Sequence, residues 1–328
     1  MLDIRIENDI IHIGRGFTLV FQRTLRIPEE GEYPLPPGLG SFPLRRVEDY
    51  ADRVPASWRR RGGVMLPMYQ REAMWLSFGA PDWHPHALAV GVGKVNAVSG
   101  RAWSEELSDD PQSYVVVPDQ PWLDGINAGD GFIRQFVAMP LGQGATVEAQ
   151  VTGAETEGGV QLLCLAPEPG RFPDEPPDID VGVDGIAPLA AIESDMGLGA
   201  GGRMRQKIYP DPHGITTWDP DEQARVFVHL ADSMMWRQIT GEEPPPTPVT
   251  AATYRDHGLP WFELYDADQG DVAAPEALSG VKPISEIDAG KHTAPQQDDR
   301  AVDIPGRQIV HLGRPPHPKG RPLVDTGW

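Results

Sequence analysis

The chain has 328 residues, 40% hydrophobic and 23% charged, with a formal net charge of −20 at pH 7 and a single cysteine, Cys164. That length buries a substantial core in a soluble globular mixture. The acidic balance argues against nucleic-acid binding, and one cysteine excludes an intrachain disulfide and fits a reducing compartment.

Glycine (36) and proline (35) punctuate the chain too often for a helical bundle and predict short strands, turns and ordered loops. The acidic charge is concentrated between residues 111 and 200, where 14 acidic residues face 2 basic ones. A solvated acidic surface accounts for this run more simply than an interaction with a basic partner. MLDIRIENDI carries neither the basic nor the apolar region of a signal peptide. No apolar run approaches the roughly 18 residues of a membrane span. A cytoplasmic location without membrane contact is expected, and the scarcity of lysine against arginine points to a GC-rich bacterial gene.

In chain order, residues 2–27 alternate with a period of two (Ile4, Ile6; Ile11, Ile13; Phe17, Leu19, Phe21) and break at Gly14 and Gly16, which predicts two or three strands. PEEGEYPLPPGLGSFPL reads as a loop. VEDYADRVPASWRRR reads as a short helical stretch with an exposed basic patch at Arg59, Arg60 and Arg61. PMYQREAMWLSFG, residues 67–79, is expected to be a helix, with Pro67 in its first turn, Met68, Ala73, Trp75 and Leu76 as apolar stripe and Gly79 at its end.

ALAVGVGKVNAVSG, YVVVPD, FIRQFVAMPL, ATVEAQVTG and GVQLLCLAP are expected strands, the last two joined as a hairpin around Thr156–Gly159. Residues 167–182 read as an acidic, proline-rich loop. MGLGAGGRMRQKIYPDP reads as a glycine loop entering a strand, and DEQARVFVHLADSMMWRQITG as a strand turning into a helix that Gly241 ends. A polyproline-like approach, a short helix from about Ala251 and an aromatic cluster of Trp261, Phe262 and Tyr265 follow. Trp75, Trp122, Trp236, Trp261 and Phe262 are expected to serve the core.

Few motifs carry chemistry. GLGAGGR lacks the Lys-Ser/Thr ending of a phosphate loop, and RMRQKIY alternates like a strand rather than opening a helix. An anion nest with Arg203, Arg205 and Lys207 nearby is a weaker reading than a turning loop. Lys94 sits among apolar residues, either on the polar face or buried against a carboxylate. His84 and His86 stand two apart in a loop, without further ligands at zinc spacing. Ser99 and Ser233 have no base partner in sequence, though folding could bring His229 or His257. Cys164, inside an apolar run, reads as a small hydrophobe.

The stretch SYVVVPDQPWLDGINAGDGFIRQF holds Asp119, Asp124, Asn127 and Asp130, but neither Asp119 nor Asp124 as first ligand reproduces the oxygen spacing of a calcium loop. Asp124-Gly125 and Asp130-Gly131 are turn dipeptides, and Asn127 tolerates a left-handed conformation. An ordered loop over Asp124–Gly131, held by its own side chains and requiring no metal, is expected. The minority candidates for a cation site are Asp119, Asp124, Asn127 and Asp130, with His84 and His86. No catalytic residue or cofactor is predicted.

The blocks YQREAMWLSF, GKVNAVSG, DQPWLDG, IRQFVAMPLG, GLGAGGRMRQKIY, WRQITG and HGLPWFELYD together resemble the recurring blocks of an uncharacterised family of bacterial and fungal proteins. The resemblance covers about residues 60 to 270 and implies no catalytic residues.

The expected architecture is a β-rich α+β protein, sandwich or barrel-like, with two or three helices. Residues 1–60 would form an N-terminal strand region packed on a main body (61–270), followed by an extended, proline-rich C-terminal arm (271–328). From residue 305 the arm carries Arg307, Arg314, Lys319 and Arg321 against Asp325. It is expected to dock on the acidic body or on a second copy to give a homo-oligomer, with Ile309, Val310 and Leu312 adding a strand to a sheet edge. The expected function is a non-catalytic binding or assembly module. The alternative is a hydrolase or carbohydrate-active enzyme with Asp119, Asp124, Asp130 and His84 in a polar cleft.

Overall fold

In the computed structural model, residues 1–173, 196–264, 270–273, 275–291 and 300–312 are described. Seventeen strands join one mainly antiparallel sheet, as the alternating sequence requires. The first half runs from Ile4–Glu7 through Ile10–Ile13, Phe17–Thr24, Ala73–Gly79 and Phe132–Pro140 to Met196–Arg205. In the second, His86–Val92 pairs with Val160–Pro167, that strand with Trp218–Ala231, and the last with Val64–Pro67 in parallel. The single Met196–Leu230 pair joins the two halves in the ladder. The β-rich α+β class is as expected, though six short helices among the described residues exceed the two or three anticipated.

The halves share one core. Phe17, Leu19, Phe21, Met74 and Leu76 of the first pack with Leu88, Val90, Leu162, Cys164 and Val228 of the second. The second half is also covered on its outer side, where Ala87, Ala89, Leu163 and Leu165 meet Tyr114 and Trp218. That double cover is why every residue of Val160–Pro167 is buried and why the strand reads as a continuous apolar run. Trp236 and Ile239 of helix Ser233–Thr240 form a separate cluster with Val47, Trp58 and Met65. Asp232 caps that helix, accepting from the Met234 and Met235 N–H groups, and left-handed Gly241 ends it as predicted.

Three expectations are corrected. Residues 67–79 are not a helix: Val64–Pro67 and Ala73–Gly79 are strands, separated by a turn in which Arg71 has φ 68°. Met74, Leu76 and Phe78 point inward while Trp75 and Ser77 do not, so the working period is two, and pairing with Phe17–Thr24 along seven residues overrides local propensity. ATVEAQVTG is not a strand and forms no hairpin with GVQLLCLAP. It is the helix Val147–Thr152, started by the Thr146 hydroxyl accepting from the Ala149 N–H and ended by left-handed Gly153.

The third correction concerns GLGAGGR, which is neither a loop nor a nest but part of the strand Met196–Arg205. Its glycines serve close approach. A Cβ on Gly202 would lie 2.2 Å from the Pro28 carbonyl oxygen. Backbone there must move, so Gly202→Ala is expected to cost about 1–3 kcal/mol by overpacking. Urea denaturation checks this, and an unchanged midpoint would mean the Pro28 segment does not lie against the strand.

The arm's expected strand is present. Ile309–Leu312 pairs in parallel with Trp261–Leu264 of the same chain, and Leu35 bridges Phe262 on the other side. Residues 271–291 are not extended throughout but include helices Glu276–Ser279 and Ile284–Gly290. Tyr265, most of the acidic loop expected at 167–182, and the arm's Arg314, Lys319, Arg321 and its prolines at 315, 316, 318 and 322 lie outside the described residues. Trp236 and Trp261 are fully buried, whereas Trp75, Trp122 and Phe262 are half-buried.

Candidate functional site

Asp124–Gly131 is not a free-standing loop. Gly125–Gly129 and the strand Phe132–Pro140 form a hairpin with a bulge between Asn127 and Gly129. Asp130 (φ 55°) and Gly131 (φ 77°) make its tip, the two positive φ angles that an Asp-Gly hairpin turn requires. Asn127 has an ordinary backbone, contrary to the left-handed reading. Its side chain pins the bulge, accepting from the Gly129 N–H (2.9 Å) and donating to the Val98, Val272 and Ala273 carbonyls.

Next to this tip runs the segment after Met196–Arg205, fixed by three buried glutamines whose amides act as extra backbone units. Gln206 accepts from the Asp124 N–H (2.9 Å) and donates to the Trp122 carbonyl. Gln120 accepts from the Tyr209 N–H and donates to the Trp122 and Lys207 carbonyls. Gln112 accepts from the Asp211 N–H and donates to the Tyr114 and Tyr209 carbonyls. The Asp271 carboxylate accepts from the N–H groups of Gly131 (2.7 Å) and Ile208 (3.0 Å), tying the hairpin tip to the same segment. Using both ends of each side chain leaves little freedom in residues 206–211.

These segments, with Glu32–Leu35 and the paired strands of Trp261–Leu264 and Ile309–Leu312, enclose a cleft of about 560 Å³. Tyr33, Phe132, Tyr209 and Phe262 contribute aromatic surface, Arg205 and Lys207 positive charge, and Glu32, Asp130 and Glu263 negative charge. The Tyr33 hydroxyl accepts from the Val302 N–H (2.9 Å). The Arg203 guanidinium lies 4.2 Å from the Phe132 ring centroid and that of Arg205 5.9 Å. A second, smaller cleft of about 350 Å³ lies over Phe227, where Glu157 pairs with both Lys94 (2.8 Å) and Arg61, and Glu105 with Arg225. Lys94 is thus on the polar face.

Of the candidates for a cation site, only Asp130 lines the larger cleft, beside Arg205 and Lys207 from the rejected anion nest. Asp119 is exposed on a turn. Asp124 is 4% exposed, and burial raises its pKa to about 7 against the partial offset of contacts with Gln206 and Trp122. His84 and His86 stack edge-on beside Phe17. Burial, and then the neighbouring His84, lower the His86 pKa to about 4. Among the described residues no group of three or more His, Cys, Asp or Glu side chains is placed to hold a metal.

Ser99 and Ser233 are buried, and no hydrogen bond between either and a histidine is found among the described residues. His229 is engaged elsewhere: its Nε2 donates to the Gly62 carbonyl (3.0 Å), and its ring packs between Trp58 and Phe227. Burial pushes the Cys164 thiol pKa well up, as expected for a core thiol. Sequence reasoning missed the three glutamines and Asp271, whose roles depend on contacts across up to 140 residues.

No protein-family model, no curated protein and no solved structure matches this chain.

Proposed function

We propose that the protein is a non-catalytic binding module whose ligand occupies the cleft between the hairpin tip at Asp130–Phe132 and the strand Trp261–Leu264. The observation that carries this reading is the construction of the cleft. Five segments spread from Glu32 to Ile309 converge on it, and amide and carboxylate staples hold its floor in one geometry. Pre-ordered walls reduce the entropy lost on binding. Half-buried aromatic faces beside a few charged groups are the composition of small-molecule sites. Asp124, whose carboxyl pKa burial raises to about 7, is enclosed rather than presented to the cleft, which favours binding over acid–base chemistry.

Phe262 is the residue to test, because it is half-buried and its removal leaves the ladder pairing intact. A small-molecule panel screened by ligand-observed NMR should yield binders to the wild type whose affinity falls about tenfold in Phe262→Ala, the loss expected for one stacking contact. Incubating each binder with protein and reading its mass separates the alternatives. Recovery of unchanged ligand supports a binding module, and conversion to product overturns it in favour of an enzyme.

A further inference from the structure

The strand register groups three arginines around Phe132, of which Arg205 lines this cleft. Residues two apart share a face of a strand, so Phe132 and Arg134 point to one side, as do Arg203 and Arg205 on the neighbouring strand. Phe132 is opposite Arg205, and Arg134 is opposite Arg203. Two like charges directly opposite in an antiparallel pair are unfavourable. Arg134 registers this: burial, and then the Arg203 charge, lower its pKa, with Glu29 and Glu286 opposing more weakly.

The carboxylates that could relieve the cluster are engaged elsewhere. Glu29 is paired with buried Arg26 at 2.5 Å and accepts from the Ser285 N–H. Glu286 is paired with Lys282 at 2.5 Å. Glu32, the register partner of Arg203 on its other edge, and Asp130 and Glu263 along the cleft form no ion pair with these arginines. Arg134, Arg203 and Arg205 therefore have no ion-pair partner among the described residues. Cation–π contact with Phe132 holds the Arg203 guanidinium and, more loosely, that of Arg205 while leaving N–H groups for a ligand. This happens in a chain of net charge −20, where carboxylates are the commoner charged groups.

We infer that Arg134, Arg203 and Arg205 receive the phosphoryl group of a small organic phosphate, whose organic part lies against the aromatic walls of the adjoining cleft. The inference rests on the binding reading above and names its ligand class. A phosphate monoester carries close to two negative charges near neutral pH and presents three oxygens to guanidinium forks. That charge matches a cluster of three uncompensated arginines better than a single carboxylate does.

The test uses the full-length protein at constant ionic strength, with inorganic phosphate, adenosine 5′-monophosphate and glucose 6-phosphate as probes, and adenosine, glucose and chloride as controls. Inorganic phosphate is expected to raise the melting temperature of the wild type where chloride does not. At least one organic phosphate is expected to bind about tenfold or more tightly than inorganic phosphate by calorimetry. Arg134→Gln and Arg203→Gln are expected to raise the melting temperature without ligand, by relieving repulsion, and to lose the phosphate response. Arg203→Lys, which keeps charge but not the fork, should retain only part of it. Phe262→Ala should keep the response to inorganic phosphate and lose the added affinity of the organic part.

No phosphate response in the wild type, or an undiminished one in both glutamine variants, overturns the inference. Binders that need Phe262 but neither phosphate nor the arginines would also overturn it, while leaving the cleft as a binding site. A phosphate response that depends on the arginines, with no gain from either organic part, supports the arginine site and counts against the cleft reading.

Discussion

Glu72→Ala is expected to lower the stability of the protein by about 3–5 kcal/mol, the range for removing one partner of a buried ion pair. Glu72 is 2% exposed, and its carboxylate meets the Arg23 guanidinium at 2.7 Å and accepts from the Tyr69 N–H at 2.9 Å. Arg23, 6% exposed, also donates to the Pro246 carbonyl (2.6 Å). The pair thus joins three distant segments: strand Phe17–Thr24, the turn before Ala73–Gly79, and the proline run after helix Ser233–Thr240. Truncating Glu72 leaves a guanidinium that cannot shed its charge, buried with only a carbonyl partner. Replacing both residues, Arg23→Met with Glu72→Leu, removes that penalty and should recover most of the loss. Chemical denaturation of the wild type, Arg23→Met, Glu72→Leu and their double variant closes the cycle, with Glu72→Ala measured beside them. If Glu72→Ala costs under about 1 kcal/mol and the two changes simply add, the pair is solvated and the packing described around it is wrong.

The same stretch shows what was legible in the sequence. Strands whose alternation is uninterrupted, such as Ile10–Ile13 and most of Phe17–Thr24, could be read directly, because one face is in the core and the other is not. In MYQREAMWLSFG, by contrast, apolar residues fit a helical stripe and a strand equally well. Arg71 at positive φ, the feature that breaks a helix there, is invisible in its identity. Met196–Arg205 was misread for a different reason. Glycine in sequence signals freedom, but here it marks where Pro28 and Val137 pass too close for a side chain, a fact about distant segments.

The candidate site was the least legible part. Arg203, Arg205 and Lys207 were noticed, but the glycines before them, read as a turning loop with an anion nest as the weaker reading, are part of a strand. What groups Arg203 with Arg134 is the register between two strands about 70 residues apart, and no spacing rule carries that. Asp119, Asp124 and Asp130 looked like a cluster because they are close in sequence. The hairpin separates them, exposing Asp119 and Asp130 and burying Asp124.

Asp124→Asn is expected to stabilise the protein, by an amount that grows with pH. The unfolded carboxyl has a pKa near 3.8 and the folded one about 7, raised first by burial. One oxygen of the side chain, Oδ2, is buried without a hydrogen-bond partner. Below pH 3.8 both states are protonated and the group contributes nothing to the balance. Between 3.8 and about 7 the unfolded chain releases its proton while the folded one retains it, so stability falls as pH rises. Above about 7 the folded carboxyl ionises as well and the penalty is constant. The gap between 3.8 and about 7 corresponds to about 4 kcal/mol at the plateau. The amide recovers less, about 2–3 kcal/mol, because its NH₂ occupies the position where Oδ2 lacks a partner and remains unsatisfied. Urea denaturation of both proteins at pH 4.5, 6 and 8 should show curves that nearly coincide at the lowest pH and separate steadily toward the highest. Parallel curves across that range would mean that Asp124 is solvated or paired in solution. The Gln206 staple, which holds the Asp124 backbone N–H at the floor of the cleft, would then be looser than its geometry indicates.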